Sequence, residues 1–249
     1  MSGWRARIGV IRPGPSLRLI QEFEKVAPNG VDFVSATLGK RTGLNIEVVD
    51  AMLAQLEHAV GELLTPRGIP GADPFGGVQA ILQSGTPLGF THGYGSDKEI
   101  IKKIEHISGV PATTMMTSIV DALEKLKIRK LVVFAIYYSA ELTERLRKFL
   151  VESGFDVVAI ATGADRPEII STAPHGLYGP AKELFMKAPP ADGLLLCGGA
   201  CSTFEIIDAL EHDIGKPVTS SGHASLWKVL NMVNVREQIL GYGQLLELF

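Results

Sequence analysis

The sequence predicts an α/β chain built as two pseudo-symmetric, Rossmann-like lobes, each a parallel sheet, facing each other across a central cleft. Three observations predict it. Short apolar runs alternate with longer amphipathic segments along the whole chain, the pattern of a parallel sheet with helices on both faces. The runs are apolar on both parities, as strands covered on both sides must be. The chain also resembles itself. AILQSGTPLGF followed by GVPATTMMTSIVDAL in the first half is matched by GLLLCGGACSTF followed by GKPVTSSGHASLWKVL in the second. Each pair reads buried strand, small-residue turn, helix, Gly-x-Pro, Thr/Ser-rich strand end, helix. Gly85 aligns with Cys197 and Pro111 with Pro217 at similar separations, and a period this long indicates two facing units rather than a solenoid. The expected division is residues 1–116 plus 222–249 in the first lobe and residues 117–221 in the second.

Taken in order, strands are expected at 7–11, 31–35, 78–83, 112–115, 130–136, 156–160, 193–196 and 218–220. One long helix is expected over 44–64, where Ile46, Val49, Leu53, Leu56, Val60 and Leu63 step by three and four. Ser96 with Glu99, and Ser202 with Glu205, have capping-box spacing and should open helices. Gly109 and Gly215 follow helical segments and should end them. Residues 65–79, rich in Pro and Gly, are expected to form a long surface loop.

Composition excludes several function classes. The 249 residues are 46% hydrophobic and 20% charged, too apolar for disorder. A net charge of −3 lacks the footprint of a nucleic-acid binder. No apolar run approaches the ~18 residues of a membrane span, and the N-terminal stretch does not read as a signal peptide. Two cysteines, Cys197 and Cys201, build no disulfide framework. A cytoplasmic protein with reduced thiols is expected, with no membrane partner and with assembly into homo-oligomers left open.

The strand ends carry the chemistry. Ligands of open α/β sheets sit outside the carboxyl ends of the strands. Facing lobes would bring Ser84–Thr86, residues 113–117, Cys197–Gly199 and residues 219–221 around one cleft. Cys197 follows three leucines, so its thiol is expected to be aimed at the cleft rather than at a sheet face. Gly198 and Gly199 let backbone N–H groups approach an anion. The helix after Ser202 adds partial positive charge, and these surroundings are expected to lower the thiol pKa from ~8.5. Cys201 is expected to pack or to be exposed. Ser84, Gly85 and Thr86 form the matching turn, with hydroxyls and N–H groups for carboxylate oxygens. Of Tyr137 and Tyr138, one phenol should donate to an anion while the other packs. His92, His175 and His223 are the histidines outside plain helix faces, and His223, after the strand end at 219–221, is the strongest binding candidate. No P-loop is present, IRPGPS after the first strand does not match a dinucleotide fingerprint, and C-x3-C is weak for zinc, so no metal is expected.

SGTPLGF, GVPATTMMTSIVDAL, AIYY with ELTERL, and DGLLLCGG followed by GKPVTSS carry a family likeness. The chain resembles the aspartate/glutamate racemase superfamily and, within it, the arylmalonate decarboxylase and maleate cis-trans isomerase branch. In that superfamily each lobe places one cysteine across a cleft. This chain has Cys197 in the second lobe and Gly85 in the first, which is similar to the single-cysteine decarboxylase pattern. The departure argues against two-base racemisation and against covalent maleate isomerisation through a first-lobe cysteine. The resemblance implies a cofactor-independent decarboxylase of a substituted malonate, a small carboxylic acid. Cys197 would be the proton donor, and Thr86, Tyr138 and the N–H groups of Cys197 and Gly198 the oxyanion pocket, within a binding set of Ser84, Gly85, Thr86, Tyr138, Gly198, Gly199 and His223. Pro87 stands where the decarboxylase pattern has Ser. The alternatives are a maleate isomerase or an amino-acid or hydantoin-type racemase, and a non-catalytic carboxylate-binding protein.

Overall fold

The computed structural model describes residues 3–39, 43, 45–65 and 77–248. Its first half runs β1 (Ala6–Arg12), α1 (Arg18–Val26), β2 (Val31–Thr37), α2 (Ile46–Leu53), α3 (Leu56–Leu64), β3 (Ala80–Gln83), α4 (Thr86–Phe90), α5 (Ser96–Ser108), β4 (Ala112–Thr114) and α6 (Met115–Lys125). The second half runs β5 (Lys130–Ala135), α7 (Ala140–Glu152), β6 (Asp156–Thr162), α8 (Pro167–Ser171), α9 (His175–Lys187), β7 (Gly193–Cys197), α10 (Phe204–Ile214), β8 (Val218–Ser220) and α11 (Ser221–Met232). A short 3-10 turn at Gln244–Glu247 follows. The strands form two parallel sheets of matching order, β2-β1-β3-β4 and β6-β5-β7-β8. All eight expected strands are present, so the α/β fold of two like halves stands.

Strand alternation divides the interior into three layers. Ile8 and Val10 of β1, Leu131, Val133 and Ala135 of β5, and Leu195 and Cys197 of β7 all belong to one core shared by the two sheets. The opposite parity serves the outer faces. Ile11 and Ile81 meet α2, α3 and α5 on one side, while Val132, Phe134, Leu194 and Leu196 meet α9 and α10 on the other. The central strands are therefore apolar on both parities because both faces are covered. Two edge strands differ: β6 has no fully buried residue, and β2 buries only Phe33 and Ala36. The helices α6 and α11 follow β4 and β8, the fully buried edge strands of the two sheets, and pack on each other. Their N-caps, Thr114 and Ser220, accept the Thr117 and His223 N–H groups at 3.0 and 3.2 Å, so the repeated Thr/Ser-rich strand ends are repeated caps.

Three local expectations are corrected. The segment expected as one helix is two, α2 and α3, separated at Ala54 and Gln55. Gln55 N–H bonds the Met52 carbonyl, a tightened turn that resets the helical phase, so Met52 rather than Leu53 is buried. Ser96 does not cap α5. Its hydroxyl donates to the Gly89 and Gly93 carbonyls, and Gly95, at φ 88°, is the cap. Ser202 does not cap α10 either, since the helix begins after Thr203. The Glu22 carboxylate of α1 takes its free N–H groups instead, accepting from Thr203 at 2.8 Å and Phe204 at 3.3 Å. Gly109 and Gly215 end α5 and α10 in the left-handed region, as expected. Of the expected long loop, residues 66–76 lie outside the described residues.

Glu22 is one of several contacts that tie the first sheet's helix to the second sheet. Lys25 pairs with Glu205 at 2.5 Å. Phe23 packs against Phe33 and, edge-on, against Phe204, with centroids 5.3 and 6.3 Å away. Burial raises the Glu22 carboxyl to about 7, against the two N–H donors that pull it down. Because this pKa is raised on folding, the native state holds more protons than the unfolded chain between about pH 4.5 and 7. The wild type should therefore gain stability, by up to about 3 kcal/mol, as pH falls from 7 to 4.5. Glu22→Gln, which keeps an acceptor for the cap, should lose that slope. Urea unfolding at both pH values checks this, and equal slopes in the two proteins would refute it.

Candidate active site

The turns after β3 and β7 meet α11 between the sheets. Cys197 is the last residue of β7 and has no solvent exposure. Its side chain lies on the inner sheet face with Leu195, not off the strand end as expected. The thiol donates to the Tyr138 oxygen at 3.9 Å and accepts from the Ser221 hydroxyl at 3.7 Å. Ser221 Oγ also accepts the Gly198 N–H at 3.1 Å and lies 3.4 Å from the Thr86 hydroxyl. Thr86 reaches Met115 Sδ at 3.3 Å and is in hydrogen-bonding contact with Tyr138 and Cys197. Four side chains, from α4, the β5–α7 turn, β7 and α11, thus close a buried thiol–hydroxyl cluster. Thr86, Tyr138, Cys197 and Gly198 come together as the sequence suggested. Ser221, at the centre, had been placed near the cleft but given no role. Its signal was the Thr/Ser-rich strand end, which says nothing of which hydroxyl turns inward.

The electrostatics invert one expectation. Burial pushes the Cys197 thiol up to about 11, and its hydrogen bonds with Ser221, Tyr138 and Thr86 only partly offset it. A helix N-terminus lowers a pKa only near its first turn. Here α10 starts seven residues on and its free N–H groups are taken by Glu22. Burial likewise holds Tyr138 well above its ordinary value, so both groups are protonated at neutral pH. Cys201 is buried as well, at the turn before α10, and its thiol is also raised to about 11.

Gly198 requires glycine, and Gly199 is closely packed. A Cβ on Gly198 would come within 2.8 Å of the Tyr137 ring, and one on Gly199 within 2.7 Å of Met115 Sδ. Gly198 is further held at φ 157°, with Ile136 Cβ 3.0 Å from the added carbon. Tyr137, the neighbour of Tyr138, accepts the Ala200 N–H at 3.1 Å and crosses Tyr138 edge-on. Together Tyr137 and Ala200 separate two cavities. The inner one, about 240 Å³, is lined by Arg12, Ser84, Gly85, Pro87 and Gly199. The outer one, about 680 Å³, is lined by Arg18, Asn45, Ser139, Arg145 and Cys201. Tyr137 lines both cavities, whereas Tyr138, Cys197, Thr86, Gly198 and Ser221 are buried beside them and line neither.

Two expected binding residues act otherwise. Ser84 lines the inner cavity, but its hydroxyl donates to the Ile11 carbonyl at 3.0 Å and is spent on the sheet. His223 is fully buried on α11, with Nδ1 3.2 Å from the Thr219 hydroxyl and its ring edge-on to Phe204 at 5.6 Å. Its contacts are with Thr219 and Phe204 rather than with the thiol cluster, and burial drives its pKa down to about 3, so it is a neutral core residue. His92 pairs with Asp50 at 2.7 Å, and His175 begins α9, away from both cavities. Among the described residues no group of three or more His, Cys, Asp and Glu could hold a metal ion. None of the described helices is long and apolar enough to cross a membrane.

The arylmalonate decarboxylase family model matches residues 25–246. Arylmalonate decarboxylase from Bordetella bronchiseptica is 30% identical over 177 residues, which cover 69% of this chain and 72% of that protein. Two solved structures share the fold. A glycine-to-cysteine variant of arylmalonate decarboxylase in a sulfate-associated form has a TM-score of 0.79 at 24% identity, covering 96% of this chain and 99% of that one. The maleate isomerase from Pseudomonas putida S16 has a TM-score of 0.80 at 18% identity, covering 97% and 98%.

Two outcomes follow from this geometry. Alkylation of Cys197 by iodoacetamide at neutral to mildly alkaline pH should run at least about 300-fold slower than that of a free thiol of pKa ~8.5. Ultraviolet titration of the Cys201→Ala variant should find no thiolate below about pH 10, and a midpoint under 9 would refute the assignment. Gly85 has φ 97°, and a Cβ there would lie 3.0 Å from Pro13 Cγ and 3.1 Å from Leu88 Cδ1. Gly85→Cys should therefore cost about 1–3 kcal/mol in urea unfolding. An unchanged midpoint would show that this turn relaxes freely.

Proposed function

This chain belongs to the arylmalonate decarboxylase family, and from that premise we propose that it decarboxylates a substituted malonate, with Cys197 as the acid that protonates the product. The observation that carries this reading is the desolvated thiol. A group that must hand over a proton has to hold one at rest, and burial keeps Cys197 protonated far above neutral pH. A racemase or a covalent isomerase needs a thiolate, which the same burial opposes.

The retained carboxylate of the substrate would take the donors now gathered on Ser221. The Thr86 hydroxyl and Gly198 N–H face that oxygen, and the Tyr138 hydroxyl stands beside the thiol. Loss of carbon dioxide leaves the electron pair on the α-carbon as an enediolate. Donors fixed before the reaction stabilise that charge without reorganising, at about 3 kcal/mol for one well-placed group. Leu19 and Leu88 give the inner cavity an apolar wall for the departing carboxylate. The thiol then passes its proton to one face of the carbon, which sets the handedness of the product when that carbon bears two different substituents. Water returns a proton to sulfur. Pro87 contributes neither hydroxyl nor N–H, so Gly198 and Tyr138 carry more of the anion than a Thr-Ser turn would require.

Incubation with phenylmalonate, 2-methyl-2-phenylmalonate, maleate and amino acids tests the reading, following carbon dioxide release throughout and product handedness for the methylated malonate, whose product carries a stereocentre. Phenylmalonate should be decarboxylated to one product, and Cys197→Ala should lower turnover by about 10²–10⁴ with an unchanged circular dichroism spectrum. Cys201→Ala should be far milder. Near-wild-type turnover in Cys197→Ala would end the assignment of the acid. Binding of malonates without turnover would instead mark a carboxylate-binding protein.

A further inference from the structure

The turn between β1 and α1 carries a cation that the proposed reaction leaves unused. Arg12 closes β1, the parallel neighbour of β3. The next residue of β3's path, Ser84, donates its N–H to the Ile11 carbonyl at 2.8 Å, so Arg12 stands one strand away from the Gly85 turn. Arg12 lines the inner cavity with Ser84, Gly85 and Gly199, and also a shallow cavity with Thr37 and Glu62. One guanidinium nitrogen, Nη1, donates to the Gly14 and Ser16 carbonyls at 2.9 and 3.0 Å. Nε is buried and has no partner among the described residues. Glu62 lines the shallow cavity on the far side of Arg12, yet no described ion pair joins the two.

A buried N–H on a cation with no acceptor is unfavourable, and a guanidinium fork is shaped to take a carboxylate through Nε and a terminal nitrogen together. We infer that Arg12 is a specificity residue that receives an acidic group on the α-substituent of the substrate, so that malonates with an acid on the substituent are preferred over plain arylmalonates. This rests on the decarboxylase reading. The other two carboxylates of such a substrate do not suit Arg12. The retained one belongs to Thr86, Tyr138 and Gly198. A cation on the departing one would stabilise the ground state and oppose its loss as neutral carbon dioxide. The substituent is what remains.

The test compares phenylmalonate with 3- and 4-carboxyphenylmalonate in the wild type, Arg12→Gln, Arg12→Lys and Arg18→Gln, alongside calorimetric binding of the products, phenylacetate and the carboxyphenylacetates. In the wild type, kcat/KM for the better carboxyphenyl substrate should exceed that for phenylmalonate at least tenfold. Arg12→Gln should bring the ratio to one or below while phenylmalonate turnover stays within about threefold. Arg12→Lys, which keeps the charge but not the fork, should retain part of the preference and shows that a loss in Arg12→Gln is not a folding defect. A wild-type ratio of one or less, or a ratio indifferent to Arg12→Gln, overturns the inference. An equal loss in Arg18→Gln also overturns it, because the acid would then sit in the outer cavity. If no malonate is decarboxylated, the decarboxylase reading fails by itself and binding decides the rest. Tighter binding of a carboxyphenylacetate that disappears in Arg12→Gln supports the anion site, and equal binding of all products refutes it.

Discussion

The desolvation of one thiol between two sheets is the constraint from which the site is built. Cys197 sits fully buried where β7 ends against the shared inner core. A sulfur held there must be neutral, and a neutral thiol needs partners that are themselves neutral. Ser221, Thr86 and Tyr138 supply them. The glycine at 198 follows from the same need, since a Cβ there would push Tyr137 out of place. Buried polar groups are tolerated only when satisfied, and Ser221 meets that condition for the Gly198 N–H and for Thr86 in the absence of an anion.

That arrangement works only if the two sheets are locked in register. The shared core does part of this, as Phe23 on α1 meets Phe204 on α10 edge-on. The polar part is the Glu22 cap with the Lys25–Glu205 pair beside it. The exposed ion pair is worth little by itself, whereas the half of the contact made by Glu22 is buried and orients the start of α10. The segment from Gly198 to Thr203 is therefore held at both ends, at one by Ser221 and Tyr137 and at the other by Glu22. A positioned turn of this kind is what a preorganised anion site requires.

The chain by itself determined a great deal. The eight strands, their parallel pairing and the repeated Thr/Ser-rich strand ends follow from apolar runs, Gly-x-Pro turns and Thr/Ser placement along the chain. Cys197, Thr86 and Gly198, with one of the pair Tyr137 and Tyr138, were legible as candidates because each stands at or just after a strand end, where an open α/β sheet exposes its residues to a ligand, and the family likeness chose Tyr138. What only the tertiary structure decided was the state of those groups and the identity of their partners. The sign of the Cys197 pKa shift depends on solvent exclusion by two lobes, and no local motif encodes it. Whether Ser84 spends its hydroxyl on the sheet, whether His223 turns to Phe204 or to a ligand, and whether α10 is capped by its own Ser202 or by Glu22 are likewise long-range choices. They are made by distant segments competing for the same donor or the same volume, and that competition exists only once the chain is folded.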